Sequence, residues 1–156
     1  MKASYDHLCL TVGDLDRSIA FYGKFFGLKV ARRDAEVHRG EMVDTSTGIR
    51  GAELLAAFLT DGRMVLELIQ FTRERGDQAR SAPANQVGAP HLGFVVEDVR
   101  EAWRQWSADG AAFLHAPVLT PRGKWSVKML DPDGVPIELR EGNAIPAETL
   151  AAVVAP

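Results

Sequence analysis

Two histidines and two glutamates occupy matching places in this 156-residue chain, and their side chains are of the types that bind metal ions. His7 opens the stretch HLCLTVGDLDRSI, and His91 opens the similar stretch HLGFVVEDVREAW. Glu67 lies in the apolar run MVLELIQF, and Glu138 lies in the similar segment VPIELRE. An ionised carboxylate among apolar neighbours is costly unless a charged partner or a metal compensates for the lost water. Two imidazoles and two carboxylates together would suit a divalent transition metal.

The two histidine stretches belong to a repeat that predicts a strand followed by a helix in each half of the chain. Asp14 and Asp98 end the apolar runs at the same place, and aspartate is a favourable N-cap. Gly27 and Gly110 end the two helical patterns with a residue that tolerates positive φ. The apolar positions at helical spacing are Leu15, Ile19, Tyr22 and Phe26 in the first half, and Val99, Trp103 and Trp106 in the second.

Extended segments follow each predicted helix. They are GLKVARRD and AELLAAFLTDGRMVLELIQF in the first half, and AAFLHAP and KWSVKMLDPDGVPIELRE in the second. The segments TDGR and DPDG supply turn residues between apolar runs, as hairpins require. Each half is therefore predicted to be a βαβββ module, which makes the chain an α+β protein with two tandem modules.

The module boundaries follow from composition. We expect modules at residues 1–72 and 89–141, joined by a linker at residues 73–88 that is polar and rich in Gly, Pro, Ala and Arg. Residues 1–141 are predicted to form a single domain. Residues 142–156 are predicted to be a C-terminal tail with a short helix.

Composition limits the classes of partner. The chain is 46% hydrophobic and 25% charged, which is typical of a globular protein, and its net charge of -3 provides no basic field for nucleic acid or membrane. Its single cysteine, Cys9, excludes an internal disulfide framework. Tyr5, Asp6 and His7 interrupt any apolar run at the start, so neither a signal peptide nor a membrane span is expected there. We expect a cytoplasmic protein that acts on a small molecule.

The repeat favours a shared role for the four metal-competent residues, as ligands of the same ion. If the modules pack about a pseudo-twofold axis, His7, Glu67, His91 and Glu138 converge on one ion. A lone histidine near a strand end is more often a hydrogen-bonded structural residue than a ligand. The presence of a matching histidine and glutamate in both halves favours the metal hypothesis.

Other residues are weaker candidates for substrate binding. His38 and His115 have no counterpart in the repeat, so we expect them at the surface or lining a cavity. His115 precedes the loop APVLTPRGKW, in which Arg122 and Lys124 could hold a carboxylate or phosphate of the substrate. A solvated charged face would explain these two basic residues equally well.

These segments resemble the vicinal oxygen chelate superfamily, which includes glyoxalase I, methylmalonyl-CoA epimerase, extradiol dioxygenases, and fosfomycin and bleomycin resistance proteins. The segments that carry the resemblance are HLCLTVGDLDRSIAFYGKFFGLKV, VLELIQF, PHLGFVVEDV and DPDGVPIEL. The resemblance implies a glyoxalase-like fold whose curved mixed sheets enclose a metal cleft. It also implies a homodimer and one divalent ion (Ni, Co, Zn, Mn or Fe) bound by the two histidines and two glutamates.

Glu67 distinguishes the activities that the resemblance implies. Extradiol and fosfomycin-modifying enzymes use two histidines and one glutamate, which correspond to His7, His91 and Glu138. Glyoxalase I and the acyl-CoA epimerases use a fourth ligand at the place of Glu67. The resemblance therefore implies an isomerase or lyase that abstracts a proton next to a metal-bound carbonyl, with Glu138 or Glu67 as the base. The alternatives are an extradiol-type oxygenase and a metal-free ligand-binding or resistance protein.

Overall fold

The computed structural model describes residues 3–77, 83–144 and Thr149. The chain divides into two compact units, Met1–Ala79 and Arg80–Pro156. Each unit contains a five-stranded mixed sheet. Most of the predicted tail at residues 142–156, with its short helix, and part of the predicted linker lie outside the described residues.

The first unit has the order strand, helix, then strands, with one additional helix. Its strands pair in the order β1-β5-β4-β2, and β3 also pairs with β4. Strands β1 and β5 are parallel, and the other pairs are antiparallel. The elements are β1 Leu8–Thr11, α1 Leu15–Phe26, β2 Lys29–Arg33, β3 His38–Arg39, α2 Glu41–Thr47, β4 Glu53–Thr60 and β5 Val65–Arg73.

The second unit repeats this topology. Its strands pair in the order β6-β10-β9-β7, with β8 on β9, and the first and last strands are again parallel. The elements are β6 Leu92–Val96, α3 Val99–Ala108, β7 Ala112–Phe113, β8 Val118–Leu119, β9 Trp125–Leu130 and β10 Pro136–Glu141. The predicted α+β fold with two βαβββ modules is confirmed.

The predicted helix boundaries are confirmed at the N-cap residues. The Asp14 side chain accepts a hydrogen bond from the Arg17 amide, and the Asp98 side chain accepts from two amides in the first turn of α3. Gly27 ends α1 with φ 66. In α3 the C-cap is Asp109, one residue before Gly110, which takes the positive φ of 90.

The alternating pattern of the last strand in each unit separates a buried face from a more open one. In β5, Leu66 and Leu68 are fully buried beneath α1, whereas Glu67 is only half-buried. In β10, Ile137 and Leu139 are fully buried, and Glu138 is half-buried. Burial of each such aliphatic side chain stabilises the fold by about 1.5–3 kcal/mol. The apolar residues thus fix the register, and the register puts each glutamate on the open face.

The helix faces agree with the predicted apolar stripes. Leu15 and Tyr22 of α1 are buried, as is Val99 of α3. Trp103 and Trp106 are half-buried. This placement supports a packing role for the two tryptophans.

Helix α2 was not predicted. It is seven residues long, its only buried side chain is Val43, and Gly40 and Gly48 are its N-cap and C-cap residues. Such a short segment with three Ser or Thr residues has no amphipathic period to detect, because one buried residue does not define a stripe.

Candidate metal centre

The first unit brings His7 and Glu67 together through the parallel pairing of β1 with β5. Cys9 is the register partner of Glu67, and His7 precedes Cys9 by two residues, which is one full period of extended chain. Nε2 of His7 lies 2.9 Å from Oε2 of Glu67. The Glu67 side chain is 15% exposed and that of His7 is 34% exposed, so both remain open to a ligand.

A second carboxylate orients the His7 ring. Nδ1 of His7 lies 2.7 Å from Oδ2 of Asp6. The hydrogen bond to Asp6 is the largest effect on the pKa of His7 and raises it, partial desolvation opposes the rise, and the charge of Glu67 supports it. A carboxylate on one ring nitrogen leaves the other directed at a metal in many metal sites.

A thiol group, that of Cys9, and an aromatic ring, that of Phe58, lie beside Glu67. Partial burial raises the pKa of Cys9 from 9.0 to about 12, and the charge of Glu67 and a hydrogen bond to its carboxylate add to the rise. Phe58 is the β4 partner of Glu67, and its ring meets the His7 ring edge-on with centroids 6.0 Å apart. Cys9 is therefore a neutral neighbour that donates to the carboxylate.

The second unit brings together His91 and Glu138. Nε2 of His91 lies 3.5 Å from Oε2 of Glu138, and the Glu138 side chain is 33% exposed. The buried Ser126 donates from Oγ to Oε1 of Glu138 at 3.2 Å. Lys128 is the β9 partner of Glu138 in the antiparallel register. Ser126 fixes one carboxylate oxygen, which leaves the other directed at His91.

The two donor pairs are chemically suited to a divalent transition ion. Each unit offers one imidazole nitrogen and one carboxylate oxygen, and two such pairs make the mixed N and O set that Zn, Ni, Co, Fe and Mn accept. No group of three or more His, Cys, Asp or Glu side chains poised for a metal occurs within the described residues. A single pair provides too few donors for a tight site on its own.

The weaker sequence candidates are exposed side chains of the second unit. His115 is exposed after β7, and its Nδ1 lies 2.7 Å from the Ala116 carbonyl oxygen. Arg122 and Lys124 are exposed in the turn between β8 and β9. Within residues 83–144, no hydrogen bond or ion pair connects these three side chains to His91 or Glu138. Their role in substrate binding stays a prediction.

Several residues around the two pairs were not found by sequence reasoning. Asp6 could have been found, since it directly precedes His7. Ser126 gave no signal because its partner, Glu138, is distant in sequence and the contact depends on the register of β9 with β10.

His38 was expected at the surface or lining a cavity. It is exposed, and its Nε2 lies 2.8 Å from Oδ2 of Asp34.

In each unit, one further side chain connects the strand that carries Glu67 or Glu138 to the helix of that unit. The Gln70 side chain accepts a hydrogen bond from the Leu15 amide at 2.8 Å, in the first turn of α1. Glu141 occupies the same place in β10, three residues after Glu138, and its carboxylate accepts from the Val99 amide at 3.4 Å. These bonds hold the strands that carry Glu67 and Glu138 against the helix of the same unit.

The described helices include none with the length and apolar character needed to cross a membrane.

Comparison with known proteins gives the family. The chain is 29% identical over 141 residues to a probable chloroplastic lactoylglutathione lyase of Arabidopsis thaliana, a match that covers 90% of this chain but only 36% of that protein. It is 26% identical over 144 residues to the metallothiol transferase FosB of Staphylococcus epidermidis, covering 90% of this chain and 82% of that protein. A crystal structure of a glyoxalase family protein from Bacillus cereus matches with a TM-score of 0.76 and 26% identity, covering 90% and 95% of the two chains.

The family model described as Glyoxalase/Bleomycin resistance protein/Dioxygenase superfamily matches residues 4–139. This range includes all four residues of the two histidine–glutamate pairs. The chain belongs to the Glyoxalase/Bleomycin resistance protein/Dioxygenase superfamily.

Proposed function

We propose that this chain is a divalent-metal-dependent isomerase or lyase that moves a proton on a carbon next to a carbonyl group. The observation that carries the proposal is the pairing of a histidine with a glutamate in both units, His7 with Glu67 and His91 with Glu138. The similarity to a protein described as a lactoylglutathione lyase supports a lyase of this kind.

Glu67 favours proton-transfer chemistry over oxygenation. Its carboxylate lies 2.9 Å from the His7 ring nitrogen, so a metal held by His7 would also have Glu67 within reach. Four protein donors leave fewer open positions for the oxygen and chelating substrate that an extradiol-type oxygenase must bind together. The four-donor set therefore fits an isomerase or lyase better.

The four residues would hold the ion, and the chain would perform the proton transfer. The ion would supply Lewis acidity, polarising the substrate carbonyl and stabilising negative charge on its oxygen. We assign the base to Glu138 in preference to Glu67, because its side chain is 33% exposed against 15%. Ser126 fixes Oε1 of Glu138, so Oε2 would accept the proton from carbon and return it.

The contacts of Glu67 support this division of roles. His7 and Cys9 both contact Glu67, which holds that carboxylate in place. We therefore propose Glu67 as the more static ligand and Glu138 as the residue that exchanges protons.

Hydrogen exchange tests the proposal without knowledge of the product. Protein reconstituted in turn with Ni, Co, Zn and Mn is incubated in D₂O with a panel of 2-hydroxy aldehydes, 2-oxo thiohemiacetals and acyl thioesters. We expect loss of the proton NMR signal at the carbon next to the carbonyl for one class. Glu138→Gln should slow this exchange by about 10²–10⁴-fold, the usual contribution of a general base.

Glu53→Gln provides the matched control. Glu53 lies on β4 of the first unit, and its carboxylate is 3.7 Å from Arg73, away from the histidine–glutamate pair. This variant should exchange at the wild-type rate. Exchange no faster than with free metal in buffer, or exchange unaffected by both Glu138→Gln and Glu67→Gln, would overturn the proposal.

We further propose that the active form is a homodimer, and complementation tests how the donor pairs combine. Glu67→Ala and Glu138→Ala chains are unfolded, mixed and refolded together. If donors from two chains form each centre, half of the centres in a mixed dimer are intact, and exchange activity returns. If each centre forms within one chain, every centre in the mixture has a defect, and the mixture stays as inactive as its components.

A further inference from the structure

The sheet face that carries His7 and Glu67 also carries a guanidinium group in a defined orientation. Arg32 on β2 is the register partner of Phe58 on β4, which is the partner of Glu67 on β5. The Arg32 Cζ atom lies 4.5 Å from the centroid of the Phe58 ring. The same ring meets the His7 ring edge-on. Phe58 therefore lies between the metal-competent pair and Arg32.

One carboxylate orients the Arg32 side chain through a single nitrogen. Nε of Arg32 lies 3.4 Å from Oδ1 of Asp34. The Asp34 side chain is only 14% exposed, its Oδ2 is bound to His38 at 2.8 Å, and its amide donates to the Ala56 carbonyl oxygen. Asp34 is thus held against β4 from two sides, and it fixes the direction of the guanidinium plane.

The two terminal nitrogens of Arg32 remain available. No other hydrogen bond or ion pair involves Arg32 within residues 3–77 and 83–144, and its side chain is 65% exposed. An exposed ion pair with one contact adds little to stability, so stabilisation does not account for this arrangement. A guanidinium with its plane fixed by an aromatic ring and a carboxylate is pre-organised to bind an anion with two parallel hydrogen bonds.

We propose that Arg32 binds an anionic group of the substrate, a carboxylate or a phosphate, at the end of the molecule remote from the carbonyl. Arg32 and Glu67 are two strands apart, which corresponds to roughly 10 Å. The half-exposed ring of Phe58 offers an apolar surface to the carbon chain between the two ends. This inference rests on the proposed function for the position of the carbonyl, and Asp34 and His38 act in it as positioning residues.

The first experiment needs no metal and no turnover. Metal-free protein is titrated with inorganic phosphate, and separately with glutarate, while the arginine Nε–Hε resonances are followed by NMR. The Arg32 resonance is assigned by its loss in Arg32→Met. We expect a saturable shift at Arg32 and none at Arg39, which is exposed on β3 at the position next to His38. No saturable shift, or an equal shift at Arg39, would overturn the proposal.

The second experiment measures whether the anion site acts together with the metal centre. Metal-loaded protein is titrated with two chelators of equal chain length, hexanoyl hydroxamate and the monohydroxamate of adipic acid. The carboxylate of the second should improve its affinity about 10-fold, the range of a hydrogen bond to a charged group. Arg32→Met should abolish this advantage, Arg32→Lys should reduce it, and Arg39→Met should keep it.

The outcomes separate the two proposals. If neither hydroxamate binds but phosphate still shifts Arg32, the anion site stands and the metal-dependent function fails. If both hydroxamates bind equally and phosphate gives no shift at Arg32, the function stands and the anion site fails. A larger shift of the Arg32 resonance with phosphate than with glutarate would identify phosphate as the preferred group.

Discussion

The reactivity of Cys9 gives a quantitative test of the contact between β1 and β5. Its pKa is raised from 9.0 to about 12, first by partial burial of the thiol and then by the charge and hydrogen bond of Glu67. Since the thiolate is the reactive form, a rise of three units lowers its fraction at pH 8 by about 1000-fold. Cys9 is nevertheless exposed to solvent, which screens part of the effect. We therefore expect alkylation at least about 100-fold slower than in the unfolded chain.

The assay uses the fact that Cys9 is the only cysteine in the chain. Metal-free protein is treated with iodoacetamide at a series of pH values, and the urea-unfolded protein supplies the reference rate. The rate should still be rising at pH 10 in the folded protein. Glu67→Gln removes the negative charge beside the thiol and should recover part of the lost rate, while Glu53→Gln should not.

Two results would contradict the raised pKa of Cys9 and its cause. A rate profile with its midpoint near pH 9 in the folded protein would show that neither burial nor Glu67 affects the thiol. A Glu67→Gln variant with the wild-type rate would show that the charge of Glu67 does not raise the pKa of the Cys9 thiol.

Three further predictions concern the fold that positions the two pairs. Asp14→Ala removes the N-cap of α1 and should lower the free energy of unfolding by about 1 kcal/mol in urea denaturation; an unchanged value would contradict the cap. Leu68→Ala creates a cavity beneath α1, so it should cost about 2–5 kcal/mol in the same assay, and a cost below that of Asp14→Ala would contradict its burial. Hydrogen bonds from the Glu101 and Arg100 amides lower the pKa of Asp98 from 3.8. The Asp98 carboxylate therefore stabilises the fold fully above its unfolded-state pKa. This stabilisation is lost as the pH falls through the lower folded-state pKa. In thermal denaturation, the melting temperature of Asp98→Asn should therefore fall less at acid pH than that of the wild type. The same pH dependence in both proteins would contradict this prediction.

The features that repeat along the chain could be predicted from the sequence. Asp14 and Asp98 are recognisable caps because each follows an apolar run and precedes a helical pattern. The hairpins at TDGR and DPDG were predictable because turn residues separate apolar runs. Glu67 and Glu138 stood out because each is charged within such a run. These signals are local, so they do not depend on knowing the tertiary contacts.

The features that depend on strand register could not be predicted. The contacts of Ser126 with Glu138, of Gln70 with the first turn of α1, and of Arg32 with Phe58 each join distant parts of the chain. A shift of one residue in any pairing would move the side chain to the other face of the sheet. The bulge between Val30 and Arg32 illustrates the difficulty, because it brings Arg32 opposite Phe58 and has no sequence signal.

Metal content would show directly whether His7, Glu67, His91 and Glu138 bind one divalent ion. Wild-type protein and the Glu67→Ala, Glu138→Ala and Glu53→Ala variants are purified without chelators or an affinity tag, and metal per chain is measured by mass spectrometry. We expect about one ion per chain in the wild type and in Glu53→Ala, with weakened or lost binding in both of the other variants. A wild-type protein that holds no metal even after reconstitution, or an ion retained at full affinity in both Glu67→Ala and Glu138→Ala, would contradict it.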